Sequence, residues 1–223
     1  MLRFFDILIS GAALTILFPL LLPIIILLRC TGEGEVFFKQ IRIGFKGKKF
    51  EIYKFATMLK NSENIGAGTL TMRDDPRVLP IGKFLRKTKI NELPQLLNIF
   101  IGDMSLVGPR PLVPDGEINY TSEQSRIIRS IPPGVTGIGS LFLRDEESFY
   151  AHRIDAKDFY INVISPYKAS LEIWYIENKS FVLNLKIILG TMLSVINPTW
   201  NAADLFLTAP KIPEKMFQSK LLK

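Results

Sequence analysis

RKTKINELPQLLNIFIGDMSLVGPRP, occupying residues 86–111, changes character twice along its length. It opens basic, with Arg86, Lys87 and Lys89. Ile90, Leu93, Leu96, Leu97, Phe100 and Ile101 then recur at helical spacing, which predicts an amphipathic helix with one buried stripe. Thr88 or Asn91 suits the N-cap, and Pro94 is tolerated because a first helical turn has no use for its missing N–H. Gly102 closes the helix, and Asp103 to Pro111 form a turn-rich run that cannot continue it. Glu92 is thereby placed in a first helical turn behind a cluster of cations, and Arg110 in a rigid loop between Pro109 and Pro111. A helix N-terminus with basic neighbours suits an anion, and a carboxylate beside it can hold a divalent metal that the anion shares. An ordinary core helix with solvated charges has the same pattern, so the composition of this stretch leaves both readings open.

Upstream, residues 7–28 (ILISGAALTILFPLLLPIIILL) carry no charge and are long enough to cross the hydrocarbon core of a bilayer. The run is too long for a signal-peptide core and lacks a small-x-small cleavage site, so it is expected to stay attached. Pro19 and Pro23 each remove a helical hydrogen bond and favour a bend. Arg3 precedes the run, while Arg29, Lys39, Arg42, Lys46, Lys48 and Lys49 follow it, a bias that keeps both flanks cytoplasmic.

The whole chain has 223 residues, 48% of them hydrophobic, and a formal charge of +7. Those values bound it to one globular domain with membrane elements and an anionic partner: nucleic acid, a lipid surface or a nucleotide sugar. A single cysteine, Cys30, excludes a disulfide framework, and a single histidine, His152, excludes a multi-histidine zinc site. No GxxxxGK[ST] loop is present, and the charges are not interleaved with stacking aromatics, which argues against nucleic acid.

EVFFKQIRIG (35–44) and KKFEIYKF (48–55) read as two strands of a hairpin, with Lys54 near the end of the second. Residues 61–68 read as a loop, and 73–77 as a surface loop turning at Asp75-Pro76. Thr121–Ile131 suits a short helix stopped by Pro132-Pro133-Gly134, and Phe181–Ile196 an amphipathic helix ended by Asn197-Pro198. Trp200, Leu205 and Phe206 with Lys211, Lys215, Lys220 and Lys223 make a tail suited to an anionic bilayer or to disorder.

NELPQLLN (91–98) followed by GDMSLVGPRP (102–111) resembles the signature of the bacterial sugar transferases, the monotopic polyprenyl-phosphate phosphoglycosyl transferases. YKFATM (53–58), RDDPRVLPIGKFLRKT (73–88) and PPGVTGIGSLFLR (132–144) resemble the same family in the same order. The resemblance implies an α+β fold: a small mixed domain with an N-terminal re-entrant membrane helix and amphipathic interfacial helices. The expected division is 1–30 membrane-embedded, 31–196 cytoplasmic and catalytic, and 197–223 tail. The implied activity moves a phosphosugar from a UDP-sugar to undecaprenyl phosphate and releases UMP, at the cytoplasmic face of the bacterial inner membrane.

By the same resemblance, Lys54, Arg86, Asn91 and Glu92 occupy catalytic positions, with Mg2+ on Glu92. Gln95, Pro109, Arg110, Pro111 and Arg144 occupy substrate-binding ones. An arginine suits the last role because its planar fork donates two hydrogen bonds to one phosphate, although a structural salt bridge with the acidic residues 145–147 is an alternative for Arg144. Further on, LEIWYIENKSFVLNLKIIL (171–189) resembles a family segment with an acidic residue before a Tyr-Tyr pair, here Glu172 and Trp174-Tyr175, and places Asn184 where an Asp is expected. Homodimerisation and docking of downstream glycosyltransferases are left open.

One departure concerns the chemistry directly. The family usually reads Asp-Glu before Leu-Pro-Gln, the Asp being the nucleophile, whereas this chain reads Asn91-Glu92. A neutral amide cannot attack phosphorus as a carboxylate does. Three accounts follow: the lipid phosphate attacks the donor directly, Glu92 or Asp103 replaces the nucleophile, or the chain is a catalytically impaired membrane adaptor that binds nucleotide sugar.

Overall fold

The structure is a computed structural model that describes residues 2–65, 75–114, 119–150, 153, 155–197, 200 and 205–216. Arg73, Asp74, His152, Pro198, Lys220 and Lys223 lie outside the described residues. Among the described residues, helices and two small two-stranded sheets make a mixed fold. The chain divides into two compact units, one of Met1–Ile41 with Phe50–Ser105 and one of Arg42–Lys49 with Leu106–Lys223.

In the first unit, α1 (Leu2–Cys30) runs as one helix through Pro19 and Pro23, and it is long and apolar enough to cross a membrane. Near its start, the Arg3 guanidinium donates to the carbonyls of Ile99 and Phe100, and the buried Asp6 carboxylate accepts from the Ser105 hydroxyl at 2.9 Å. Near its end, Leu21 and Leu28 are buried with Phe55 and Leu85. Ile16, Phe18, Leu20 and Ile26 between and beside these anchors are exposed.

The expected hairpin forms from β1 (Phe37–Ile43) and β2 (Lys49–Phe55). Its turn uses Gly47 at φ 79°, a left-handed conformation that glycine adopts without a steric penalty. α2 (Pro80–Lys87) follows, with proline in its first turn, and a Cβ on Gly82 would collide with the Thr57 backbone.

The expected helix over the 90–101 stretch is broken. Ile90–Glu92 form a single 3-10 turn, and α3 (Gln95–Ile101) begins only after Pro94. Pro94 has no N–H to continue a helical ladder from residue 90, so the ladder restarts beyond it. Neither Thr88 nor Asn91 is an N-cap: Thr88 closes α2, its hydroxyl donating to the Phe84 carbonyl at 2.9 Å, and Lys89 at φ 61° reverses the chain. The buried face of α3 is also different from the expected stripe. Gln95, Asn98 and Ile99 are buried, whereas Leu97, Phe100 and Ile101 are exposed. Gly102, at φ 112°, ends the helix as expected.

The segment read as a surface loop turns at Asp75-Pro76, where Pro76 is exposed but the charged residues on either side are buried. Asp75 and Arg77 are each 4% exposed. The guanidinium donates to both Asp75 carboxylate oxygens, at 2.8 and 2.6 Å, and to the carbonyls of Ser62 and Ile65. A buried guanidinium needs partners for its fixed fork of donors, and this turn supplies them.

In the second unit, β3 (Ser105–Val107) pairs with β4 (Gly134–Thr136) so closely that a Cβ on Gly108 or Gly134 would strike the facing backbone. α4 (Ser122–Ile128) starts at a capping box of Thr121 and Gln124. α5 (Ile138–Phe142) follows. α6 (Ala156–Phe159) and α7 (Ser165–Glu177) are joined by one π turn, Tyr160–Ile164, next to Pro166, whose missing N–H interrupts the regular ladder. α8 (Phe181–Ile196) has the expected bounds and is capped by Ser180. Ile138, Leu171, Tyr175, Ile187 and Met216 are at the centre of the core. Where the sequence suggests an interfacial or disordered tail, Phe206, Ala209 and Met216 are buried in this core, because their apolar area finds a face here.

Candidate active site

The first unit brings together the end of β2 and the 3-10 turn before α3. Lys54 Nζ lies 3.1 Å from Glu92 Oε1, with both side chains largely buried at 14% and 17% exposure. What sets this pair in register is Asn98, fully buried on α3. Its Oδ1 accepts from the Tyr53 N–H at 3.0 Å, and its Nδ2 donates to the Glu51 carbonyl at 2.7 Å. One side chain thus ties the strand carrying Lys54 to the helix that follows Glu92.

Asn91 precedes Glu92 and is 7% exposed; its Oδ1 is buried with no hydrogen-bond partner among the described residues. The Nε2 of Gln95, 3% exposed, is likewise unmatched. Buried polar atoms without partners are uncommon in native folds and mark places where a ligand or strain accounts for them. Arg86, from the last turn of α2, is half-buried, with Nη1 3.8 Å from the Met58 sulfur. Asp103, the other residue considered as a replacement nucleophile, follows Gly102 at the C-terminal end of α3, the opposite end from Glu92. A helix of this length separates its ends by about 10 Å, so Asp103 and Glu92 do not share one reacting centre.

Among the described residues, no three His, Cys, Asp or Glu side chains stand together as a metal cage. Magnesium does not need one: it commonly takes one or two carboxylates and completes its shell with water and substrate phosphates. Glu92, which follows Asn91 with its buried and unmatched side-chain Oδ1, is the carboxylate that could hold such a shared ion.

The second unit holds the other part of the expected set. The Gly134 N–H donates to the Pro109 carbonyl at 2.9 Å, Arg42 Nη1 to the Pro111 carbonyl at 3.0 Å, and the Ile43 N–H to the Leu112 carbonyl at 2.9 Å. The Arg110 N–H donates to Glu172 Oε1 at 3.4 Å. Its two prolines fix φ, so the Arg110 backbone is held at both neighbours and at its own amide. Beside this loop a pocket is lined by Arg110, Tyr120, Ser125, Arg129, Gly44 and Pro133 among others. Arg144 follows α5, and its Nη1 is buried without a hydrogen-bond partner among the described residues. Of the acidic residues considered as salt-bridge partners of Arg144, Glu146 pairs with Lys168 at 2.8 Å.

Glu172 was visible in the sequence as an acidic residue without a role. It is 2% exposed, and burial pushes its carboxyl up to about 7 against the pull of the Arg110 N–H and the Lys168 and Arg110 charges. Asn184, where an Asp is expected, accepts from the Tyr175 hydroxyl at 2.7 Å, a bond for which a neutral acceptor suffices.

The expected residues therefore fall into two sets. Lys54, Arg86, Asn91, Glu92 and Gln95 belong to the first unit, and Pro109, Arg110, Pro111 and Arg144 to the second. A carboxylate for a metal with an adjoining lysine, an arginine on a fixed loop and a second arginine after α5 are groups suited to a phosphorylated substrate.

A family model described as bacterial sugar transferase matches residues 1–198. The chain is 37% identical over 194 residues to the uncharacterized sugar transferase EpsL of Bacillus subtilis (strain 168), covering 87% of this chain and 86% of that protein. It is 35% identical over 207 residues to the exopolysaccharide production protein ExoY of Sinorhizobium fredii (strain NBRC 101917 / NGR234), covering 86% and 84%. Over 194 residues it is 33% identical to the UDP-glucose:undecaprenyl-phosphate glucose-1-phosphate transferase of Klebsiella pneumoniae, covering 85% of this chain but 39% of that longer protein. A match that begins in the apolar helix, runs through every motif and ends only in the tail makes this chain a member of the bacterial sugar transferase family.

Proposed function

We propose that the chain transfers a phosphosugar from a UDP-sugar to undecaprenyl phosphate, releasing UMP, as the first step of polysaccharide or glycoconjugate assembly. The observation that carries this reading is the largely buried Lys54–Glu92 pair, 3.1 Å apart and preceded by the unmatched Asn91 oxygen, in a chain similar to the transferase of Klebsiella pneumoniae. An oxygen of the lipid phosphate attacks the phosphorus that bears the sugar, that phosphorus loses its bond to the bridging oxygen, and UMP departs with the bond pair. Magnesium, when bound, neutralises charge on the diphosphate and on leaving UMP. Glu92 is its ligand, Lys54 holds the Glu92 carboxylate in place, and Arg86, Arg110 and Arg144 bind phosphate oxygens, with Gln95 in the donor site. Because Asn91 is an amide, the lipid phosphate is the nucleophile and no phosphosugar is carried on the protein.

The reading also includes a helix that enters the bilayer and returns to the cytoplasmic face. Two anchors support this. A straight helix of this length separates its ends by about 43 Å, more than a bilayer core, so a spanning helix has its ends on opposite faces. Here Arg3 and Asp6 at one end, and Leu28 at the other, are all bound within the first unit. The exposed apolar side chains of α3 (Leu97, Phe100, Ile101) and α8 (Phe181, Leu185, Leu189, Ile196) suit helices lying at the interface.

The test is UMP release by the detergent-purified chain from a panel of UDP-sugars. Release is expected only with undecaprenyl phosphate and magnesium both present, and Glu92→Ala is expected to lower it on the order of 10³-fold. A chain that binds UDP-sugar yet releases no UMP under any of these conditions is an adaptor, not a transferase.

A further inference from the structure

Among the described residues, Glu172 is the one buried carboxylate of the second unit that the proposed chemistry leaves unused. It lies in the middle of α7 and is 2% exposed. On one side its Oε1 accepts the Arg110 N–H at 3.4 Å. On another, it fills the space that a side chain at Gly139 would need: a Cβ there would run into the carboxylate. Its Oε2 is buried and has no hydrogen-bond partner among the described residues.

A carboxylate in such surroundings is costly, and a leucine of similar size would satisfy packing at less expense. What a leucine could not do is accept the Arg110 amide. Because Pro109 and Pro111 have no N–H, the Arg110 amide is the only main-chain donor of that tripeptide. The desolvation of Glu172 is therefore tied to the orientation of one peptide, that of the arginine expected to meet phosphate.

We propose that Glu172 is a positioning residue: from inside α7 it holds the Arg110 backbone, and through it the direction in which the guanidinium meets an anionic donor. The inference rests on the transferase reading for the identity of that donor. Among the described residues, the charged and titratable groups facing Glu172 are few. Lys168, one turn earlier on α7, is shared with Glu146; Arg110 and Tyr120 approach from the loop side. α5 carries no titratable side chain, and Glu123 and Arg126 of α4 pair with each other in solvent. Burial raises the Glu172 carboxyl from 4.5 to about 7. The folded state thus holds a proton that the unfolded state has lost, and stability falls as pH rises from 4.5 to about 7.

The experiment uses the full chain in detergent, labelled with ¹⁵N-arginine, with the Arg110 amide signal assigned by its loss in Arg110→Lys. That signal is expected to titrate with a midpoint near 7 and to become flat in Glu172→Gln, which retains an acceptor but no ionisable group. The second measurement is UDP affinity in a double-mutant cycle. Glu172→Leu is expected to weaken binding by about tenfold, Glu172→Gln to restore it to within about threefold, and Glu172→Leu to have no further effect in an Arg110→Ala chain. An Arg110 amide that ignores pH in the unmodified chain, or additive losses in the cycle, overturns the proposal. The NMR titration needs no nucleotide, so it decides the role of Glu172 even if the chain proves not to bind UDP, a result that would overturn the transferase reading instead.

Discussion

Asn91→Asp is expected to release about one UMP per chain from a UDP-sugar with no lipid present, where the unmodified chain releases none. The substitution replaces a neutral amide with a carboxylate at nearly constant volume, at a site that is 7% exposed and immediately before Glu92. A carboxylate there can attack the sugar-bearing phosphorus, expel UMP and retain the phosphosugar as an acyl phosphate. Intact mass spectrometry then shows the added mass of the phosphosugar, removed on addition of undecaprenyl phosphate. Steady-state kinetics change in parallel, from a pattern that requires both substrates together to a ping-pong pattern. A lipid-independent burst from the unmodified chain would show that another residue already acts as nucleophile, and Glu92 would be the one to examine, since Asp103 is at the far end of α3.

The second large effect is on stability. Asn98→Ala removes the acceptor of the Tyr53 N–H and the donor to the Glu51 carbonyl at a position with no exposure to solvent. Leaving buried main-chain groups unmatched costs about 1–3 kcal/mol each, so a loss of about 2–4 kcal/mol is expected, with Tm lowered on the order of 10 °C. UMP release should fall further than the folded fraction does, because β2 carries Lys54 and α3 follows Glu92. Asn98→Asp tests the directionality: it can still accept from Tyr53 but sets a carboxylate against the Glu51 carbonyl, and it should not rescue stability. Unchanged melting of Asn98→Ala would mean that apolar packing alone docks the hairpin.

These two positions also show how far the sequence could be read. The motifs and their order were sufficient for the family, and local rules were sufficient for the hairpin turn at Gly47 and for α8, bounded by Ser180 and Asn197. Periodicity failed at residues 90–101. Ile90, Leu93, Leu97, Phe100 and Ile101 do fall at helical spacing, but Pro94 divides them between a 3-10 turn and α3, and the buried face of α3 is built on Asn98 and Gln95. An apolar stripe indicates a helix and its face only when water is the sole alternative environment. A chain that also meets lipid exposes apolar residues and buries the polar ones that bond its backbone. Asp75, Arg77 and Glu172 were hidden for a related reason. Charged residues default to the surface in any local reading, and only the tertiary partners, such as the Ser62 carbonyl or the Arg110 amide, make an interior location tolerable.

The contacts of Arg3 and Asp6 set an order of events during synthesis. Their partners, Phe100 and Ser105, lie 97 and 99 residues further along the chain. At about 5–20 residues per second, a ribosome needs on the order of 5–20 s to make that distance. During that interval the apolar helix is complete while the helix it will pack against does not yet exist. Its first surroundings are therefore lipid or a chaperone, and the protein partner arrives later. Packing of α1 against α3 thus waits for the synthesis of residues well beyond the helix itself, and a chain that stops before residue 105 lacks the hydroxyl that Asp6 accepts from.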